Sequence, residues 1–264
     1  MGELKRTYYQ IRIAGRYGLL RPFSLAVLAD LHNRAYHVSM DLLISAILEE
    51  KVSAILSAGD LVLAKAGVSC YDEALRLLDI LSKEYPIYLV NGNHETRMAG
   101  KRYRENYSRY QSALEKLGVI ALNNQHISCS IEGMPLGIYG LEIPIACYQG
   151  KEDLTADSLR KALGERSSDE YTILLAHHPK FFEAYADWGA DLTLAGHLHG
   201  GIVRLPKLGG LVSPDFTLFP HYDRGMFERS GKRMLVSAGL GTHTIPVRIN
   251  NPAELVILEF APED

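Results

Sequence analysis

Short apolar runs alternate with helix-like segments along the first 200 residues of the chain. The runs are rich in Leu, Ile, Val and Ala and have the length of buried strands, whereas the segments between them place apolar residues at helical spacing. This alternation predicts an α/β protein. The predicted strands are FSLAVLA (23–29), SAILSA (53–58), PIYLV (86–90), LGIYGL (136–141), TILLA (172–176) and LTLA (192–195), and the predicted helices are 39–50, 71–84 and 155–163.

The helix starts and the last quarter of the chain give two further expectations. Ser69 and Thr155 are predicted N-caps, because their side chains can accept hydrogen bonds from the first turn of a helix. After about residue 200, the runs GIVRLP, RMLVSAG, TIPVRI and LVILEF follow one another without clear helices between them. We therefore expect this part to be more antiparallel than the rest.

Composition is that of an ordinary globular protein, with 47% hydrophobic and 22% charged residues. A length of 264 residues allows one domain spanning 1–264 with a substantial core. The three cysteines are widely spaced, which favours reduced thiols over a disulfide framework. No apolar stretch reaches the roughly 20 residues of a membrane span, and the first residues lack a signal-peptide core. We interpret the protein as cytoplasmic.

The formal net charge of −3 provides no general attraction to nucleic acid or to an anionic membrane. Any binding of phosphate must therefore come from a local site.

Five predicted strands run directly into polar clusters that contain Asp, Asn or His. The clusters are VLADLHN (27–33), LSAGDLV (56–62), LVNGNHE (89–95), LLAHHP (174–179) and LAGHLHGG (194–201). A single Asp-x-His is commonly a turn or a cap. However, sites in open α/β sheets form outside the carboxyl ends of strands, so five such clusters favour one shared site.

The residue types in these clusters suit metal binding. Asp and His together are ligands for hard to borderline metals, and the absence of cysteine disfavours a thiolate zinc site. An Asp-x-His or His-x-His spacing places both side chains on one face of an extended segment. The clusters therefore predict divalent or trivalent metal ions such as manganese, iron, zinc or nickel.

The clusters resemble the signature of the calcineurin-like metallophosphoesterase superfamily, which is Asp-x-His, Gly-Asp, Gly-Asn-His-(Asp/Glu), a later His and Gly-His-x-His. All five blocks occur in that order between Asp30 and His199, and the chain ends also resemble the YkuE-like phosphodiesterase subgroup. The resemblance implies a four-layer α-β-β-α sandwich with two mixed sheets packed face to face.

The resemblance also implies a dinuclear metal site. One metal would be held by Asp30, His32 and His199, the second by Asn93, His177 and His197, and both would share Asp60. His177 and His178 are alternatives for one ligand position. The resemblance favours His177 as the ligand, and His178 would then either support the metal ligands or contact the substrate.

The implied activity is a metal-dependent phosphoesterase in which a metal-bound hydroxide attacks phosphorus in line. His94 would stabilise the phosphoryl transition state or protonate the leaving oxygen, as imidazole can near neutral pH. For Glu95, a solvated or helix N-terminal carboxylate is the alternative to a direct chemical role. Diesters are favoured over monoesters by the subgroup resemblance alone.

Two segments near the clusters are candidates for substrate recognition. The basic segment 96–117 contains Arg97 and places Tyr103, Tyr107 and Tyr110 on one helical face, although packing of these rings on the core is the simpler interpretation. The segment 205–233 contains Arg224. The candidate substrate contacts are Arg97, His178, Arg224 and His243, and a surface role is the simpler interpretation of His243.

The predicted substrate is a phosphorylated small molecule or a lipid-headgroup type of molecule. A nuclease of the same superfamily is the alternative, which the acidic charge disfavours. A non-catalytic scaffold is a further alternative, but such a protein should have lost ligands, and all the expected residues are present. Nothing in the pattern indicates an oligomeric state.

Overall fold

Two six-stranded mixed sheets dominate the computed structural model, which describes residues 3–205, 209–213, 217–242 and 247–263. The strands in chain order are β1 (Leu4–Ile13), β2 (Phe23–Leu28), β3 (Ala54–Ser57), β4 (Leu63–Lys65), β5 (Val68–Cys70), β6 (Ile87–Leu89), β7 (Ile120–Ala121), β8 (Gln125–Ile131), β9 (Met134–Leu141), β10 (Tyr171–Ala176), β11 (Leu192–Ala195), β12 (Val203–Leu205), β13 (Gly209–Val212), β14 (Gly225–Arg229), β15 (Lys232–Val236) and β16 (Ala253–Pro262).

The helices lie between these strands in the chain. They are α1 (Met40–Glu49), α2 (Asp72–Leu81), α3 (Asn93–Met98), α4 (Arg104–Lys116), α5 (Ile145–Tyr148), α6 (Ala156–Leu163) and α7 (Phe182–Trp188), with short 3-10 turns at Gly15–Tyr17 and Pro179–Phe181. Within the described ranges, no helix is long and apolar enough to cross a membrane.

The first sheet has the strand order β1-β16-β2-β3-β6-β7, and the second has the order β14-β15-β11-β10-β9-β8. In the first sheet β2, β3, β6 and β7 are parallel, while β16 runs antiparallel to β2. In the second sheet β9, β10, β11 and β15 are parallel, flanked by the antiparallel strands β8 and β14. Both sheets are therefore mixed, as predicted.

Three apolar clusters show how the layers pack. One lies between the sheets and joins side chains such as Val27 and Leu56 of the first sheet to Ile173 and Leu194 of the second. A second covers the outer face of the first sheet with α1, α2 and α4, and a third covers the outer face of the second sheet with α6 and α7. This arrangement confirms the predicted four-layer α-β-β-α sandwich.

The six strands and three helices predicted before residue 200 are all present, but one predicted cap is wrong. Thr155 accepts a hydrogen bond from Ser158 N and caps α6, as predicted. Ser69 lies instead in β5, which pairs with β4, so α2 begins only after Tyr71. Helix α1 is capped by Ser39, whose side chain accepts a hydrogen bond from Leu42 N at 3.2 Å.

The last quarter is only partly antiparallel. β12 pairs with β13 and β14 with β15 in antiparallel fashion, yet β15 is parallel to β11 and β16 is parallel to β1. The sequence pattern did not show these two parallel pairings because they join strands that are distant along the chain. Part of the predicted TIPVRI strand lies outside the described residues.

Candidate metal centre

The predicted site residues lie where strands of both sheets end. β2, β3 and β6 are parallel neighbours in the first sheet, as β10 and β11 are in the second. Because parallel strands end at the same edge, the side chains that follow them can meet at one place. The residues after these strands are Asp30, His32, Asp60, Asn93, His94, His177, His197 and His199.

The backbone at this edge is held in an unfavourable conformation. The φ angles are positive at five of the predicted ligands, Asp30 (54°), His32 (49°), Asp60 (56°), His197 (72°) and His199 (51°). The left-handed region costs a non-glycine residue on the order of 1–3 kcal/mol, and such residues concentrate at functional sites. Hydrogen bonds between the turns, such as Asp30 N to Gly59 O and His32 N to Asp60 O, both at 3.0 Å, stabilise them.

Asp60 lies among three imidazoles. Its Oδ2 is 3.1 Å from His177 Nε2 and 4.0 Å from both His32 Nε2 and His94 Nε2. The Asp60 side chain is only 1% exposed, so water does not screen it from these rings.

Asp30 is the second carboxylate of the cluster. Its Oδ1 lies 3.6 Å from His177 Nε2 and 3.7 Å from His199 Nε2. Both of its oxygens accept a hydrogen bond from the backbone N–H of His197 at 3.0 Å. His199 Nε2 in turn lies 2.9 Å from His32 Nε2.

The side-chain nitrogen and oxygen atoms form three overlapping groups in which every atom lies within 4.8 Å of the others. Asn93 adjoins the third group, because its Oδ1 lies 2.9 Å from His197 Nδ1. Carboxylate and imidazole are suitable donors for divalent first-row metals. The groups are Asp30 with His32 and His199, Asp60 with His32 and His94, and Asp60 with His177 and His197.

The ring orientations also fit metal binding. His177 Nδ1 donates to the carbonyl oxygen of Ala58 at 2.8 Å, and His199 Nδ1 donates to that of Gly241 at 3.3 Å. Both rings therefore direct Nε2 towards the carboxylates. Metal-bound histidines generally use one nitrogen for the metal and anchor the other in this way.

The electrostatics show that the cluster needs positive charge. Burial raises the pKa of Asp30 to about 7, and nearby Asp60 acts in the same direction. Burial opposes protonation of His177, but the negative charges of Asp60 and Asp30 outweigh it and raise the pKa of this imidazole to about 9. These shifts show that the buried carboxylates favour positive charge beside them.

Glu95 is buried beneath the turn that carries Asp60. Its carboxylate accepts hydrogen bonds from four backbone N–H groups, those of Asp60 (3.0 Å), Leu61 (2.8 Å), Val62 (3.2 Å) and Gly92 (3.0 Å). The expectation of a solvated carboxylate is wrong, since Glu95 is 1% exposed, whereas its place in the first turn of α3 agrees with the helix N-terminal interpretation. Glu95 therefore holds the ends of β3 and β6 together.

His94 has a defined ring orientation. Its Nδ1 accepts a hydrogen bond from Ala64 N at 2.9 Å, so the proton of the neutral ring is on Nε2, the nitrogen that faces Asp60. Arg97, a predicted substrate contact, donates to Ala64 O at 2.8 Å. In this structure both residues hold the start of β4, and Arg97 contacts backbone there.

Tyr103, Tyr107 and Tyr110 pack against the core beneath the first sheet, which confirms the simpler interpretation of that face. Tyr110 is completely buried. The charges of α4 include an exposed ion pair between Arg109 and Glu105 at 2.6 Å.

His178 lies among aromatic rings, whereas the ring of its neighbour His177 faces the carboxylates. Its ring stacks on Tyr148, with centroids 5.5 Å apart, and lies 4.3 Å from the ring of His197. Burial, followed by the charge of Asp60, raises the pKa of Tyr148 well above its ordinary value, so its hydroxyl stays protonated. The two histidines thus have different surroundings, one at the carboxylates and one beside aromatic rings.

Of the other two predicted substrate contacts, Arg224 lies in the described part of the chain and pairs with a carboxylate. Arg224 Nε lies 3.6 Å from Glu254 Oε1, and Glu254 also accepts from Ala238 N at 2.8 Å. The guanidinium of Arg224 is thus engaged by a buried carboxylate on β16, which gives it a structural partner. His243 lies outside the described residues.

Glycine is required where two of the turns approach each other. A Cβ on Gly196 would lie 2.5 Å from Asp30 Oδ2, and one on Gly92 would lie 2.3 Å from Asp60 Oδ1. Non-bonded heavy atoms do not approach so closely, so any side chain there would displace a carboxylate.

One cavity borders the cluster at His32, and another borders His178, whose ring lies beside that of His197. A cleft of about 860 Å³ includes His32 in its wall and is lined further by Arg34, Tyr36, His37 and Lys65. A smaller cavity of about 420 Å³ borders His178 and Leu198 and is lined further by Lys180 and Tyr222.

The sequence model of the calcineurin-like phosphoesterases matches residues 23–201, a span that contains every residue of the cluster. The chain belongs to the calcineurin-like phosphoesterase family. Members of this family hydrolyse phosphate esters, and the clustered Asp and His side chains of this phosphoesterase can hold metal ions.

Curated relatives cover most of the phosphoesterase chain. It is 26% identical to the uncharacterized metallophosphoesterase YkoQ of Bacillus subtilis over 86% of this chain and 80% of that protein. It is 24% identical to the uncharacterized metallophosphoesterase YkuE of the same organism, over 89% and 78%. It is 27% identical to the phosphodiesterase YaeI of Escherichia coli, over 90% and 82%.

Residues beyond the matched span hold the last block of the phosphoesterase site, and the sequence pattern did not indicate them. Arg248 donates to the carbonyl oxygens of Gly239 (3.0 Å) and His199 (3.3 Å), and Asn251 Nδ2 donates to His199 O at 2.6 Å. Their signal in the sequence was weak, because an Arg or Asn in a loop is commonly solvated. The low exposure of the two side chains, 9% for Arg248 and 2% for Asn251, shows that they are structural.

Proposed function

We propose that this protein is a dinuclear metal-dependent phosphodiesterase. The observation that carries the proposal is the convergence of two buried carboxylates and several imidazoles from five strand ends, with the anchoring of His177 and His199 that metal ligands show. One metal would be held by Asp30, His32 and His199, the other by Asn93, His177 and His197, and both would share Asp60.

Bound metals would activate the attacking water and neutralise the charge of the phosphate. The chain itself supplies orientation and a proton. His94 presents Nε2–H towards the centre because Ala64 N occupies its Nδ1, so this nitrogen is the proposed donor to the phosphoryl or leaving oxygen. Glu95 fixes the Asp60 turn through its four backbone contacts.

The two cavities support a diester over a monoester. A diester carries an organic group on each side of the phosphate, and this centre has a cleft at His32 and a separate cavity at His178. Arg34 and Lys65 outnumber Glu73 among the charged residues that line the larger cleft, which favours an organic group with negative charge. The proposed substrate is a phosphodiester of a small molecule or of a lipid headgroup.

The test is a paired assay of the metal-loaded full chain. Metal content is measured, and manganese, iron, zinc and nickel are each added before assaying an aryl phosphodiester and an aryl phosphomonoester. The proposal predicts a higher kcat/KM for the diester. Higher kcat/KM for the monoester would overturn the diester preference, and no turnover of either with any metal would overturn the enzyme proposal.

A variant pair links the activity to the cluster. Asp60→Asn keeps the size of the side chain but removes its charge, so we expect loss of bound metal and of activity by orders of magnitude. Asp79→Asn is the matched control, because Asp79 forms an exposed ion pair with Lys83 and should be replaceable without effect.

A further inference from the structure

Tyr148 approaches the metal centre from a strand end that carries no predicted ligand. It is the last residue of α5, which follows β9, and β9 runs parallel to β10, the strand that precedes His177. The centroid of its ring lies 5.2 Å from that of His197 and 6.2 Å from that of His177. The same edge rule that gathers the ligands therefore also brings this ring to the site.

The hydroxyl group of Tyr148 has an unused hydrogen-bonding capacity. Its oxygen is buried and has no hydrogen-bond partner among the described residues. The neighbouring Tyr185 shows the usual arrangement, because its hydroxyl donates to His178 O at 2.8 Å. The buried hydroxyls of Tyr110 and Tyr171 also have no partner among the described residues, but these two rings belong to the apolar core. The hydroxyl of Tyr148 differs in lying beside the catalytic cluster, where a bound molecule can supply the partner that a buried tyrosine hydroxyl normally has.

The chemistry of the missing partner follows from the donor. A phenol is protonated at neutral pH, and its hydroxyl is the end that can be offered to an acceptor. Phosphate oxygens are anionic acceptors, and hydrogen bonds to ionised groups are the stronger ones. We propose that the hydroxyl of Tyr148 donates a hydrogen bond to a phosphate oxygen of the substrate. This inference rests on the proposed phosphoesterase function.

The stacking of the ring explains how the hydroxyl is oriented. The rings of Tyr148 and His178 are inclined by 20° with centroids 5.5 Å apart, and His178 is itself fixed beside Phe181. The ring is therefore supported independently of its hydroxyl. In Tyr148→Phe the ring support is kept and only the oxygen is lost, so the variant should fold with unchanged stability.

The test compares Tyr148→Phe with the wild type after metal loading. Metal content should be equal, kcat/KM for the aryl phosphodiester should fall about 10- to 100-fold, and the Kd for inorganic phosphate, measured by calorimetry, should rise by a similar factor. The matched control is Tyr171→Phe, which removes a buried hydroxyl at the opposite end of β10, where it should affect neither quantity.

The outcomes are distinguishable. Unchanged kcat/KM and unchanged phosphate affinity in Tyr148→Phe would overturn the inference, as would a loss of activity in proportion to a loss of metal. If the wild type hydrolyses neither ester yet binds phosphate in a manner that depends on the Tyr148 hydroxyl, the proposed function fails and the tyrosine contact stands.

Discussion

The carboxylate of Glu95 accepts a hydrogen bond from the backbone N–H of Asp60 at 3.0 Å. This contact ties the first turn of α3 to a residue whose backbone lies in the left-handed region. Burial of a carboxylate raises the free energy of the folded state unless hydrogen bonds stabilise the charge. Glu95 accepts four such hydrogen bonds from backbone N–H groups. The position of the central carboxylate of the site therefore depends on a residue that need not touch metal or substrate.

Glu95→Gln should destabilise the protein by about 2–3 kcal/mol, because the amide NH₂ would face backbone donors where an oxygen accepted before. Metal affinity should fall as well, since the Asp60 turn would shift. Urea unfolding and metal titration measure both effects. Glu105→Gln is the control, because Glu105 is exposed and its pair with Arg109 contributes little. Equal stability of the two variants would contradict this role of Glu95.

His94→Asn should lower kcat by about 10²- to 10⁴-fold while leaving the metal content close to that of the wild type. The reason is that His94 is proposed to transfer a proton, whereas the metals keep their own ligands. Steady-state kinetics and metal analysis of the same sample separate the two effects. His126→Asn, at an exposed position of β8, should have no effect on activity. If His94→Asn loses its metal together with its activity, the ring is a ligand instead.

Removal of metal by a chelator should lower the melting temperature. Asp30 and Asp60 are buried beside each other, and a bound cation compensates their charge. Adding back metal at a thousand times its Kd should stabilise the fold by about 4 kcal/mol. Differential scanning calorimetry measures this change, and Asp60→Asn should show a smaller one. A melting temperature that is independent of metal would speak against a metal centre.

Gly196→Ala should lower the free energy of unfolding by about 1–3 kcal/mol and weaken metal binding, because the new methyl group would lie 2.5 Å from Asp30 Oδ2. Gly15→Ala is the matched control, since nothing lies within 4 Å of its added Cβ and its φ is not positive. Denaturant unfolding compares the pair. An equal and small effect in both variants would show that the Gly196 turn tolerates a side chain.

Local patterns were sufficient for much of the fold. Buried strands such as 172–176 and amphipathic helices such as 155–163 follow from side-chain periodicity, which is a property of neighbouring residues. β1 (Leu4–Ile13) was not predicted, because this strand at the edge of the sheet is mostly polar and lacks the continuous apolar run of the buried strands. Its parallel pairing with β16, from the other end of the chain, is not a local property.

The sequence by itself determined the composition of the candidate site, since the residues that follow the predicted strands include Asp30, Asp60 and the pair His177 and His178. Only the tertiary structure decided which neighbour does what: His177 faces the carboxylates while His178 stacks on Tyr148. The tertiary structure also decided that Arg224 pairs with Glu254 and that Glu95 lies buried under the Asp60 turn. The physical reason is that spacing fixes the end of a strand, whereas the direction of a side chain depends on partners brought from distant parts of the chain.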